Sequence, residues 1–208
     1  MKNFNFVFLM FFCICMQAGS FAYASSFIDI NVNNNILFDI PRNWVVLSDN
    51  KTITLNSIIE SVLPVSSSGR FQANLKNDNG RPITTVQIYR WKSEFYQADI
   101  DAMGESDVSD YNQQMRSQMV KELKAMGGTV SNWHGTRKSR VNDLVILVSE
   151  YSRSSNLALF GQFRVQVLRI YSGDKSFSFV ISYHEENILP LRVLVDKIIT
   201  TLRCPHCT

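Results

Sequence analysis

The chain has 208 residues, of which 45% are hydrophobic and 19% charged, with a formal net charge of +3. That length and apolar content suit one domain with a real core, and they exclude a disordered or low-complexity chain. So small a charge does not imply nucleic acid or an anionic membrane as a partner, and none is expected; the cluster Arg137, Lys138, Arg140 reads as a solvated hairpin end.

At the N-terminus Lys2 precedes an apolar run over residues 4–16, and Ala22-Tyr23-Ala24 follows as an A-x-A cleavage site. A charged start, a short apolar core and small residues at the cut describe a secretory signal peptide over residues 1–24. The run is shorter than the about 20 residues a membrane-spanning helix needs. Cleavage after Ala24 predicts an exported, periplasmic or secreted product over residues 25–208, one domain, monomeric and without a transmembrane anchor. Cys13 and Cys15 leave with the leader, so only Cys204 and Cys207 remain, and an even count in an exported protein favours a disulfide.

Residues 27–32 alternate apolar and polar side chains and predict a strand, Asn33-Asn34-Asn35 a turn, and Ile36, Phe38 and Ile40 a second strand stopped by Pro41. Trp44 to Leu47 follow as a return strand or a turn packed on the sheet. Leu55, Ile58, Ile59 and Leu63 have the spacing of one helix face, so a short helix is expected over residues 54–63, then a serine-rich loop over 65–69. Residues 71–75 and 83–91 read as strands joined by Asn77-Asp78-Asn79-Gly80, a hairpin turn. The connection to residue 105 holds a turn of helix around Gln97–Ala102.

A long helix capped by Asp107 or Ser109 comes next, with an inward stripe of Val108, Tyr111, Met115, Met119, Leu123 and Met126, ended by Gly127-Gly128. An antiparallel meander follows. Residues 129–138 form its first strand, Val141-Asn142-Asp143 turn, and residues 144–151, apolar on both faces, form a central strand. After a loop over 156–159 come two alternating runs joined by Ser172-Gly173-Asp174. Phe163, Val165 and Val167 on one, and Phe177, Phe179, Ile181 and Tyr183 on the other, predict an apolar face, with Gln162, Arg164, Gln166 and Ser176, Ser178, Ser182 towards water. A last helix starts near Asn187, accepts Pro190 in its first turn and buries Leu191, Leu194, Val195, Ile198 and Leu202.

Three stretches carry a resemblance: Phe38-Asp39-Ile40-Pro41-Arg42-Asn43-Trp44; Gln97-Ala98-Asp99-Ile100; and Lys121-Glu122-Leu123 to Gly127-Gly128 with Trp133 and Glu150-Tyr151-Ser152-Arg153. In this element order the chain resembles the PsbP-like family, whose fold is shared with the nuclear-import factor Mog. The resemblance implies an α+β chain folded as an α/β/α sandwich. A mostly antiparallel central sheet of about six to seven strands would lie between the long middle helix and the C-terminal helix. It also implies a non-enzymatic binding, assembly or accessory protein.

The chemistry-bearing residues are few. Cys204-Pro205-His206-Cys207 resembles the C-P-H-C site of DsbA-type thiol oxidases, which makes a thiol-disulfide enzyme the alternative function. Those enzymes place the first cysteine at a helix N-terminus, where the dipole lowers the thiol pKa; here the motif follows a helix C-terminus, which favours the thiol. A passive disulfide is the expected role. His134, His184 and His206 are the only histidines, and no H-E-x-x-H or second cysteine pair accompanies them, so neither a metal nor another cofactor is expected. His184-Glu185-Glu186 reads as a solvated loop, and no catalytic residue is assigned. A hydrolase would need a pocket bringing His134 or His184 to a serine and a carboxylate. For a protein or peptide partner, Phe95, Tyr96, Ile100, Met115 and Met119 could line a pliable groove, although core packing is the ordinary fate of such methionines. Trp44, Trp91 and Trp133 read as core or hairpin anchors.

Overall fold

The structure, a computed structural model, describes residues 26–32, 35–47, 71–93, 95–155 and 161–207. The expected leader, the helix over 54–63, the loops over 65–69 and 156–159, and the Asn33-Asn34 turn lie outside the described residues.

Strands β1 (Phe27–Val32) and β2 (Ile36–Pro41) form a hairpin that is a sheet of its own. The main sheet has seven antiparallel strands: β3 (Val45–Val46), β4 (Phe71–Lys76), β5 (Pro82–Lys92), β6 (Gly128–Val141), β7 (Leu144–Ser155), β8 (Gln162–Ser172) and β9 (Lys175–His184). Their order across the sheet is β3-β4-β5-β9-β8-β7-β6. After β5 the chain therefore leaves for the far edge through helices α1 (Gln97–Ala102) and α2 (Glu105–Ala125). It then returns strand by strand until β9 closes against β5. A 3-10 turn (Glu185–Asn187) leads into the last helix, α3 (Ile188–Thr200).

The two faces of the sheet have different covers. On one, Leu191, Leu194, Val195 and Ile198 of α3 and Ile36, Phe38 and Ile40 of the hairpin pack with Leu144, Ile146 and Val148, Leu168 and Ile170, and the odd positions of β9. On the other, α1 and α2 supply Ile100 and Leu123, the first against Leu147 and Tyr171, the second against Tyr151, Val165 and Val167. Burying each such large apolar side chain contributes about 1.5–3 kcal/mol.

The hairpin β8–β9 is not apolar on one face. Ser172 pairs with Lys175 across the turn, where Gly173 has φ 56°. That register sets Ile170 opposite Phe177 and Leu168 opposite Phe179, but Val165 opposite Ser182. The apolar runs of the two strands thus face opposite covers. Ser176, Ser178 and Ser182, expected towards water, are buried, and Ser178 Oγ accepts a 2.9 Å hydrogen bond from the Trp91 indole.

Helix α2 starts earlier than its sequence suggests. Gly104 holds the cap position and Asp107, in the third helical position, accepts from the Gly104 N–H at 2.9 Å. A carboxylate there satisfies an orphan donor and the helix dipole as well as one at the cap itself. Of its stripe, Met115 and Leu123 are buried, Val108, Tyr111 and Met119 partly so, and Met126 is exposed after the last turn. Lys138 caps α1 from the sheet, donating to the carbonyls of Asp101 and Met103 at 2.7 and 2.9 Å. Arg137 pairs with Glu150, so Arg137 and Lys138 of the basic cluster have structural partners. Asn142 occupies the β6–β7 turn at φ 52°, and its amide donates to the carbonyls of Thr200 and Leu202 at 3.1 and 2.8 Å, fixing the end of α3.

The C-terminal tail docks on the hairpin. Leu37 and Arg203 exchange backbone hydrogen bonds of 2.9 and 2.8 Å, and Arg203 reaches Asp29 at 2.9 Å. Cys204 and Cys207 form a disulfide with Cα atoms 5.3 Å apart, and Cys207 is buried in the main core.

Candidate functional site

Along the face that α3 covers, β7 reads Leu144, Ile146, Val148, Glu150, Ser152, and β8, running antiparallel, sets Leu168, Gln166 and Arg164 opposite the last three. The apolar core ends at Val148 and Leu168, and the same face continues with two paired polar rungs, Glu150 with Gln166 and Ser152 with Arg164. Gln166 and Ser152 are nevertheless buried, the latter 4% exposed. A cavity of about 380 Å³ opens over these rungs. Ser131, Asn132 and His134 of β6 form one wall, Gln162 stands at the rim, and Glu185 and Ile188, at the entry to α3, form the other wall.

Two bulges in β6, between Val130 and Asn132 and between Trp133 and Gly135, turn His134 onto this face. Trp133 goes to the other, stacked on Tyr151 at 5.7 Å and donating to Asn112 of α2. Asn112 Oδ1 also accepts from the Thr136 N–H at 2.8 Å, which fixes α2 against the edge strand.

Inside the cavity a serine, a histidine and a carboxylate meet. Ser152 Oγ lies 2.9 Å from His134 Nε2 and 2.5 Å from Glu185 Oε1. An ionised carboxylate only accepts, so the Ser152 hydroxyl proton points to Glu185 and His134 Nε2 must donate. His134 Nδ1 then accepts from the Asn132 amide at 3.4 Å. Burial first, and the Arg164 charge second, lower the His134 pKa from its ordinary 6.5, so the ring is neutral at pH 7. In a nucleophilic triad the histidine sits between serine and carboxylate and takes the serine proton. Here the serine is in the middle and the chain of donors runs the other way, so His134 is not placed to take the Ser152 proton, which goes instead to the Glu185 carboxylate.

Arg164 crosses the floor. Its Nε is 3.5 Å from Glu150 Oε1 and 3.8 Å from Glu185 Oε1, which is ion pairing without hydrogen bonding. Its Nε and Nη1 are buried with no hydrogen-bond partner among the described residues. Buried guanidinium N–H groups without acceptors are costly. Tyr183, paired with Arg164 on β9, has its hydroxyl pKa pushed up to about 12, by burial first and then by the Glu150 charge.

Other sequence candidates lie apart from this cavity. Phe95 and Tyr96 are 52% and 58% exposed ahead of α1, whereas Ile100 and Met115 are buried and Met119 is half-buried against the Tyr151 cluster. These five residues are not brought together as a groove open to solvent. Cys204 and Cys207 are at the opposite end of the α3 layer, past the helix C-terminus, with Ser172 Oγ donating to the His206 carbonyl at 2.6 Å. Trp44 is buried in the main core and Trp91 and Trp133 are held by their hydrogen bonds, as anchors. Among the described residues no three potential metal ligands converge, and no helix is long and apolar enough to cross a membrane.

No family model matches the sequence. No curated protein sequence matches it either. Solved structures do. The solution structure of cyanobacterial PsbP from Synechocystis superposes with a TM-score of 0.54 at 11% identity, covering 86% of this chain and 92% of that one. The Ran-binding protein Mog1p of Saccharomyces cerevisiae gives 0.46 at 9% identity over 86% and 95% of the two chains. LpqN of Mycobacterium tuberculosis, described as involved in cell envelope biogenesis, gives 0.44 at 14% identity over 82% and 83%. The fold is therefore PsbP-like, an α+β sandwich around a seven-stranded antiparallel sheet.

Proposed function

We propose that the chain is a non-enzymatic binding or accessory protein of the cell envelope, exported by its N-terminal leader, that recognises a protein or peptide partner at the cavity over Ser152 and Arg164. The observation that carries this reading is the direction of the hydrogen-bond chain, from His134 through Ser152 to Glu185, in a cavity that these side chains line. That set of groups can hold a ligand by hydrogen bonds but lacks the histidine base of a nucleophilic triad. The PsbP-like fold is compatible with the reading and by itself assigns no ligand. At the tail, the C-terminal end of α3 and the burial of Cys207 support a passive crosslink over a thiol oxidase.

The test uses the processed protein, expected to begin at Ser25. A photo-crosslinking residue in place of Gln162, at the cavity rim, should capture a discrete partner in the native envelope, and Arg164→Lys should reduce that capture. Ester or amide turnover that Ser152→Ala abolishes would overturn the reading, as would insulin reduction that Cys204→Ser abolishes.

A further inference from the structure

The hairpin β1–β2 is a sheet of its own, and the C-terminal tail pairs with its outer strand. The N–H and carbonyl of Leu37 both bond to Arg203, and the Asp39 N–H donates to Thr201 Oγ1 at 2.8 Å. Bonding direction alternates along a strand, so Phe38 and Ile40, opposite Ile30 and Ile28, turn their N–H groups to β1 instead. The tail therefore covers the outer edge of β2, whose backbone groups would otherwise be open to pairing. The Arg203 guanidinium adds contacts to Asp29 at 2.9 Å and Asp39 at 3.5 Å.

Directly after Arg203 comes the loop that the disulfide closes. The Cys207 N–H donates to the Cys204 carbonyl at 3.2 Å, and Ser172, at the end of β8, donates to the His206 carbonyl. The two cysteines have unlike surroundings. Cys207 is 5% exposed within the main core, whereas Cys204 is half-buried against it.

We infer that the tail is a redox-sensitive strap over the edge of β2. The disulfide keeps it down, a dithiol opens the disulfide only when the tail lifts, and the reduced tail lifts more often. In the exchange a thiolate of the dithiol attacks Cys204 Sγ, the bond to Cys207 breaks, and Cys207 leaves as a thiolate that takes a proton. The second thiol of the reagent attacks the mixed disulfide, releasing Cys204 as a thiol and the reagent as its own disulfide. While the tail is down, the leaving thiolate would form in an apolar core with no water to stabilise its charge, so exchange waits for lifting. A lifted tail gains conformational freedom once the crosslink is gone, which favours lifting in the reduced protein. The strap turns over no substrate, and the inference is independent of the cavity.

The experiment compares the oxidised processed protein with the same protein reduced by dithiothreitol, following amide hydrogen exchange residue by residue. The Leu37, Asp39 and Arg203 amides should exchange about tenfold faster after reduction, while Phe38 and Ile40 keep their protection. Arg203→Ala, which removes only an exposed side chain, should speed the reduction of the disulfide by dithiothreitol about threefold. Equal protection of Leu37, Asp39 and Arg203 in the two redox states overturns the inference. So does equal loosening of Phe38 and Ile40, which would mean that the whole hairpin opens, and so does a reduction rate that Arg203→Ala leaves unchanged.

Discussion

Replacing Glu185 by Gln tests the direction of the proton chain without changing its shape. In the native protein Ser152 donates to the Glu185 carboxylate at 2.5 Å and His134 Nε2 donates to Ser152 at 2.9 Å, so His134 should be the Nε2–H tautomer. In Glu185→Gln the side-chain amide can donate to Ser152 Oγ, freeing the hydroxyl proton to turn towards His134 Nε2. The ring should then move to the Nδ1–H tautomer. A hydrogen bond to a charged group contributes about 1.5–3 kcal/mol and a neutral one about 1 kcal/mol, so the substitution should cost about 1–2 kcal/mol. Loss of a counter-charge for Arg164 adds to that cost, because its remaining contact is Glu150 at 3.5 Å. Glu185 also raises the His134 pKa, so its removal should lower that pKa further. Long-range nitrogen–proton correlation spectra identify the tautomer, and urea unfolding gives the stability. A native His134 protonated at Nδ1 at neutral pH would refute the reasoning, since Ser152 would then donate to the ring and a histidine base would be in place.

Asn142→Asp should destabilise by about 2–3 kcal/mol, from two lost hydrogen bonds and a carboxylate set against the negative end of α3, with partial recovery at acid pH in urea unfolding. Asn142→Gly, which keeps the left-handed backbone, should cost less; equal effects would remove the electrostatic part of the argument. Because the folded pKa of Tyr183 is raised, to about 12, folded stability should fall as pH rises from the unfolded value of about 10 through that range. Burial raises Tyr151 and Tyr171 in the same direction, so tyrosinate absorbance should lag until the chain unfolds. His134 has the opposite sign: its lowered pKa means stability is lost as pH falls below about 6.5, an effect that a His134→Gln variant should remove. Replacing both Cys204 and Cys207 by Ala should cost about 2 kcal/mol, the chain-entropy value for so short a loop. Once reduced, the thiols should alkylate with midpoints near or above pH 8.5; a midpoint several units lower would reveal an activated cysteine.

Periodicity and turn chemistry alone were enough to place most elements. The period of two in β8 and β9, the helical steps from Val108 to Leu123, and Gly127 at φ 72° after α2 are local properties that a sequence carries openly. Even the end of the core is written in β7, where Leu144, Ile146 and Val148 give way to Glu150 and Ser152. What sequence could not supply was which alternating face meets which. The turn at Gly173 fixes the β8–β9 register that puts Arg164 beside Tyr183, but the β5–β9 register that sets Trp91 over the serines of β9 depends on β9 closing against a strand far back in the chain. His134, Ser152 and Glu185 are separated by 18 and 33 positions, and two bulges in β6 decide which side of the sheet the histidine faces. Composition and local pattern fix an element because its energetics are local. A site assembled from three strands and a helix entry depends on pairings that no local term specifies, so only the tertiary structure decided that a serine, a histidine and a carboxylate would meet, and in which order.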